Sequence, residues 1–154
     1  MMAIILRDTR DKAGKHKNVD DYLVSQGHQV VRSKMYVGDV TLLNNQSVCI
    51  DLKRNLAEVV LNVCQQHDRF VREIVRANDA GIKLIFLIEH GGSIKTLEDV
   101  KNWVNPRLKE SPLAVSGERL YRIMDTMRRK YDIEWHFCDK RCTGKVVLEL
   151  LGIV

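Results

Sequence analysis

Long apolar runs are missing from this chain. No stretch approaches the roughly 20 residues needed to span a bilayer, and Met1-Met2-Ala3-Ile4 opens directly into a short strand-like run where a secretory leader would place its apolar segment. A membrane partner is therefore not expected. The expected setting is cytoplasmic for a bacterial or phage-encoded chain, and the nucleus for a eukaryotic one. Proline is scarce, with two residues in 154, and no low-complexity tract, long charge run or internal repeat interrupts the sequence. Extensive disorder is thereby excluded except at the ends. The four cysteines, Cys49, Cys64, Cys138 and Cys142, lack C-x-x-C spacing, and without a leader they read as free thiols. His136, Cys138 and Cys142 lie close enough to raise the question of zinc, but no fourth ligand accompanies them.

What is present suits one compact domain spanning residues 1–154: 45% of residues are apolar, 29% are charged, and the length can bury a real core. A net charge of +5 permits a polyanionic partner without demonstrating one. The periodicity alternates between strands and helices. Residues 3–6 read as a strand emptying into a charged loop over 7–17, with Asp8 at the strand's end. A short helix follows over 19–26, with Asn18 as its N-cap and Gly27 as its stop. Residues 29–37 and 40–43 read as strands rich in β-branched residues, Asn44-Asn45 as a turn, and 47–53 as the returning arm of a hairpin. Apolar positions from Leu56 to Val75 follow helical spacing, with Gly81 placed to end the helix. Residues 83–89 form a nearly continuous apolar run of the kind a central strand shows when both faces are covered. A helix over 96–104 carries capping-box spacing at Thr96 and Asp99, Pro106 and Pro112 mark a loop, and Ser116 caps a further helix. A strand over 133–137 and a helix over 143–151 complete the chain. The predicted class is α/β, a mixed central β-sheet flanked by helices.

Period-two alternation through 47–53 sends Val48, Ile50 and Leu52 one way and Cys49, Asp51 and Lys53 the other. Asp39 sits on the opposite arm of the same hairpin. Spacing alone thus groups two carboxylates and a lysine, a set suited to a hard divalent cation beside a fixed positive charge. By itself D-x-K is a low-information pattern that also describes a solvated ion pair on an exposed strand.

Gly38-Asp39 followed by Asp51-Leu52-Lys53 resembles the core motif of the XPF-type nucleases of the PD-(D/E)XK superfamily, which runs Gly-Asp, a hairpin, Glu-Arg-Lys, then an acid. Asp8-Thr9-Arg10-Asp11 is similar to the family's Asp-x-Arg-Glu signature, Asp68-Arg69-Phe70 to its Gly-Arg-Phe segment, and 84–89 to its central strand. The match covers roughly residues 4–91 in order and spacing. It implies a restriction-endonuclease-like fold and a metal-dependent DNA endonuclease in which Asp39 and Asp51 ligate Mg2+ or Mn2+. It further implies that Asp8 adds an outer or additional carboxylate, that Lys53 assists the attacking water, and that Arg10 and Arg69 face the scissile phosphate. Branched or flapped DNA in repair or recombination is the implied substrate, and a homodimer or heterodimer the implied assembly. A chain ending at Val154 leaves no room for the helix-hairpin-helix module common in the family, so targeting is expected from dimerisation or a partner. A junction resolvase of phage or mobile-element type and a catalytically silent DNA-binding subunit stand as alternatives. Three departures matter: the family's Glu is Asp51, its Arg is Leu52, and its trailing acid falls on Ala57. Glu58, one residue later, replaces that acid only if the helix start shifts. Glu89 is a further candidate ligand at the exit of its strand, whereas His16, His67 and the run Arg128-Arg129-Lys130 read as structural or solvated.

Overall fold

The computed structural model describes residues 1–12 and 14–153. Strand β1 (Ile4–Asp8) pairs in parallel with β2 (Gln29–Ser33) across the helix α1 (Lys17–Ser25), and antiparallel with β3 (Val40–Leu42). β3 turns back onto β4 (Val48–Lys53), which β5 (Lys83–Glu89) and β6 (Glu134–Cys138) follow in parallel. The spatial order is β2-β1-β3-β4-β5-β6. Helices α2 (Leu56–Val60), α3 (His67–Asp79) and α4 (Gly117–Tyr131) cover one face; α1 and α5 (Thr143–Leu150) cover the other. The expected mixed sheet between helical layers is what the chain builds.

Strand alternation divides the core. Leu84, Phe86 and Ile88 join Phe70, Ile74, Leu120 and Met124 on one side of the sheet, while Ile85 and Leu87 join Val19, Leu23 and Val147 on the other. Ile50 and Leu52 of β4 belong to the second cluster and Cys49 to the first, so Asp51 and Lys53 point toward α3. Phe70 anchors α3 there: its ring lies 5.0 Å from Phe86 and 6.3 Å from Trp135, whose indole N–H donates to the Met124 carbonyl at 3.0 Å. Burying such an aromatic contributes about 1.5–3 kcal/mol from area alone.

Several boundaries differ from expectation, each for a local reason. β1 runs on through Arg7 and Asp8 because Arg7, fully buried, finds partners in Asp11, Asp20 and the Asp39 carbonyl. Asn18 does not cap α1; the helix begins at Lys17 with His16 at the cap position, and the Asn18 amide donates to the Lys140 carbonyl at 3.1 Å. β2 ends at Ser33, after which the Met35 backbone is drawn to Asp8 and Arg10. The helical pattern after Leu56 is not one helix: a π-helical turn over Leu61–Gln65 and a break at Gln66 separate α2 from α3. Thr96 and Asp99 do exchange capping-box hydrogen bonds, yet the turn they start is a short 3-10 helix, Glu98–Asn102. Gly27, at φ +89°, ends α1 as expected, and the Ser116 hydroxyl accepts from the Arg119 N–H to cap α4.

Candidate active site

A cleft of about 330 Å³ opens between the β3–β4 hairpin and α3. Six of the site residues expected from the sequence line it: Asp8, Arg10, Asp39, Asp51, Lys53 and Arg69. Asp39 is fixed by its backbone and its side chain together. Its N–H donates to the Ile50 carbonyl at 2.8 Å, and its carbonyl accepts from Asp8 N–H and Arg7 Nη1, both at 3.0 Å. One carboxylate oxygen, Oδ2, accepts the Leu52 N–H at 2.8 Å. The preceding Gly38 makes that loop possible. It adopts φ +73°, and a Cβ there would stand 3.2 Å from Cys49 Cβ and from the Ile50 carbonyl oxygen.

Lys53 Nζ lies 3.1 Å from Asp51 Oδ1, and both side chains are 9% exposed. The ammonium also stands 5.5 Å from the Phe70 ring and 5.9 Å from Phe86, an apolar floor that a free lysine would avoid. Burial pushes the Lys53 pKa down, but Asp51, with Glu58 and Asp39 behind it, outweighs burial and leaves it raised, so the amine stays charged. Burial and the nearby Asp51 charge hold Asp39 well above the usual carboxylate range.

Asp8 and Arg10 form a braced pair at the rim. Asp8 Oδ1 accepts the Met35 N–H at 3.0 Å and Oδ2 accepts from Arg10 Nε at 2.9 Å, while Arg10 Nη2 donates to the Met35 carbonyl at 2.6 Å. Arg69 is exposed on the α3 side of the cleft. Glu89 does not line the cleft. It faces the other helical layer, where the Thr143 hydroxyl donates to it at 2.6 Å and His16 Nδ1 lies 3.7 Å away. His16 is buried there, and burial lowers its pKa. His136 pairs with Glu134 at 2.8 Å and the Cys138 thiol with the Thr143 hydroxyl at 3.6 Å. Arg128 and Arg129 pair with Asp125 at the end of α4, in keeping with a solvated helix end.

The position aligned with the trailing acid, Ala57, is exposed and points away from the cleft wall. Asn55 sets that register, its Oδ1 accepting the Glu58 N–H at 2.9 Å as the N-cap of α2. Glu58 does reach the cleft, but its carboxylate accepts the Arg54 N–H at 3.3 Å with the Arg54 guanidinium 3.7 Å away.

Two acids of the cleft, Asp11 and Glu73, have no counterpart among the expected site residues. Glu73 of α3 lines the cleft with Gly38 and Asp51, and burial, then the Asp51 charge, pushes its pKa up to about 7. A signal for it exists in the sequence. Glu58, Asn62, Gln66, Arg69, Glu73 and Arg76 all line the cleft, and their spacing of three and four residues is one helical stripe carried across the break at Gln66. Counting only apolar positions leaves that stripe as an ordinary solvent face.

No protein-family model and no curated protein matches the chain. Solved structures do. XPF from Aeropyrum pernix superposes with a TM-score of 0.65 at 18% identity, covering 97% of this chain and 60% of that one. XPF from Aeropyrum pernix in complex with DNA superposes with a TM-score of 0.69 at 17% identity, covering 97% and 64%. The chain thus spans less than two thirds of the length of either. What the likeness establishes is the architecture: this chain has an XPF-type nuclease fold.

Proposed function

We propose that this protein is a metal-dependent DNA endonuclease, hydrolysing phosphodiester bonds with Mg2+ or Mn2+ held at Asp39 and Asp51. The observation that carries the reading is the convergence of Asp39, Asp51 and Lys53 in one cleft, on a fold shared with an XPF in complex with DNA. The donor set fits a hard cation, since the acids of the cleft offer only oxygen. Burial, then the nearby Asp51 charge, raises the pKa values of Asp39 and Glu73, a crowding of acids that a bound cation would relieve. Among the described residues no three His, Cys, Asp or Glu side chains stand as a preformed cage, and ligation requires them to close inward. When bound, the ion supplies Lewis-acid stabilisation of charge developing on the phosphoryl oxygens.

The chain's own groups supply the rest. Lys53, kept charged, is a donor and not a base: its ammonium can hydrogen-bond the attacking water or a phosphoryl oxygen while Asp51 fixes its position. Arg10, Lys15, Arg69 and Arg76 rim the cleft and suit the flanking phosphates. Asp8, with both oxygens engaged, serves as the outer carboxylate that aims Arg10. Branched or flapped DNA as substrate, a role in repair or recombination, and targeting through a homodimer or heterodimer belong to the same reading and rest on the motif resemblance.

Cleavage of plasmid, flap and fork DNA with Mg2+ and with Mn2+ tests it, using wild type beside Asp51→Ala and Lys53→Met. Each substitution is expected to reduce the cleavage rate by roughly 100-fold or more, the scale of losing one charge-stabilising group. Equal cleavage by Asp51→Ala and wild type sinks the assignment.

A further inference from the structure

We propose that Glu73 supplies the third carboxylate of the metal set, from α3, in place of the acid absent at Ala57. The inference rests on the metal-dependent reading of the cleft and adds to it a ligand that the D-x-K pattern does not contain. Two carboxylates leave a hard divalent cation short of charge and of oxygen donors. The helix start is where a third one is expected, and neither position 57 nor position 58 presents an uncommitted acid there. Ala57 is exposed, with its register locked by the Asn55 cap, and Glu58 is engaged by the Arg54 backbone and guanidinium.

Glu73 reaches the same space from the opposite wall. It lines the cleft together with Gly38, Asp39 and Asp51, close enough to Asp51 for a shared hydrogen bond, and so stands beside both arms of the hairpin that present the other two acids. α3 is itself a rigid mount, since Phe70 and Ile74 are buried on either side of Glu73 in sequence and Phe70 packs on Phe86 beneath Asp51. Asp39, Asp51 and Glu73 would together hold the cation, whose charge would offset the crowding of Glu73 against Asp51.

A purely structural role makes a different demand. Glutamine at position 73 can still accept from the Gly38 N–H through Oε1 and donate to Asp51 through Nε2. Only ligation needs the second anionic oxygen. The test is Mn2+ binding, followed by calorimetry and by loss of the free-ion EPR signal, in wild type, Glu73→Gln, Glu58→Gln and the double variant Glu73→Gln/Ala57→Asp, with thermal unfolding in chelator to confirm folding. Glu73→Gln is expected to weaken Mn2+ binding by at least about tenfold, the lower limit for residues that merely support a ligand. Glu58→Gln is expected to stay within about twofold of wild type, and Ala57→Asp to restore none of the loss, because position 57 points away from the cleft. Unchanged Mn2+ affinity in folded Glu73→Gln overturns the proposal and leaves the nuclease reading standing. An equal loss in Glu58→Gln also overturns it, because general cleft charge then explains the effect. Wild type that binds no Mn2+ overturns both.

Discussion

Arg7 offers the sharpest test of how the cleft is held from behind. Its side chain is 1% exposed, and its guanidinium donates to Asp20 at 2.6 Å, Asp11 at 2.8 Å and the Asp39 carbonyl at 3.0 Å. Burial pushes its pKa down, but the bonds to Asp11 and Asp20 outweigh that and hold it raised. Arg7→Met fills most of the space and removes the charge. The two acids then fare differently. Asp20, 24% exposed, can turn to water, whereas Asp11, 4% exposed, keeps only Lys15 and His16, each 3.9 Å away. Breaking a buried pair in this way costs about 3–5 kcal/mol, mostly as the uncompensated charge. For a chain of this size that lowers Tm by roughly 6–20 °C. Urea unfolding should therefore show the large loss in Arg7→Met, a recovery of about 1 kcal/mol or more in Arg7→Met/Asp11→Asn, and little change in Asp20→Asn. A loss below about 1 kcal/mol in Arg7→Met, or an Asp11→Asn loss that adds to it instead of offsetting it, refutes the assignment of Asp11 as the partner that loses most.

Glu73 makes metal-free stability depend on pH in a defined direction. Its folded pKa near 7 lies above the ordinary value of 4.5, so the fold holds a proton that the unfolded chain releases, and stability should fall as pH rises from about 4.5 to 7. Tm measured in chelator should show that slope in wild type and a flatter one in Glu73→Gln. Gly38→Ala places a Cβ 3.2 Å from Cys49 and the Ile50 carbonyl at φ +73°, which should cost roughly 1–3 kcal/mol in urea unfolding. A loss under a few tenths of a kcal/mol would show that the loop can relax.

Much of the fold was legible because its signals are local. The alternation in β4 sorted Ile50 and Leu52 from Asp51 and Lys53, and the apolar run of β5 is buried on both faces as its composition predicts. The misses arise where tertiary partners outbid local propensity. Arg7 stays in β1 because Asp11, Asp20 and the Asp39 carbonyl accept its donors, and no window around residue 7 contains Asp20 or Asp39. Asn18 looks like a cap, but its amide is drawn to Lys140, 122 residues away. The break at Gln66 is invisible to apolar counting because Val63, Phe70 and Ile74 remain buried on both sides of it.

The site divides along the same line. Asp39, Asp51 and Lys53 share one hairpin, so a pattern of short spacings contains them, and Gly38 marks the turn that sets their geometry. Glu73 shares no such spacing. It is joined to Asp51 only because α3 packs on β5, through Phe70 against Phe86, which brings the stripe of Arg69, Glu73 and Arg76 to the cleft wall opposite the hairpin.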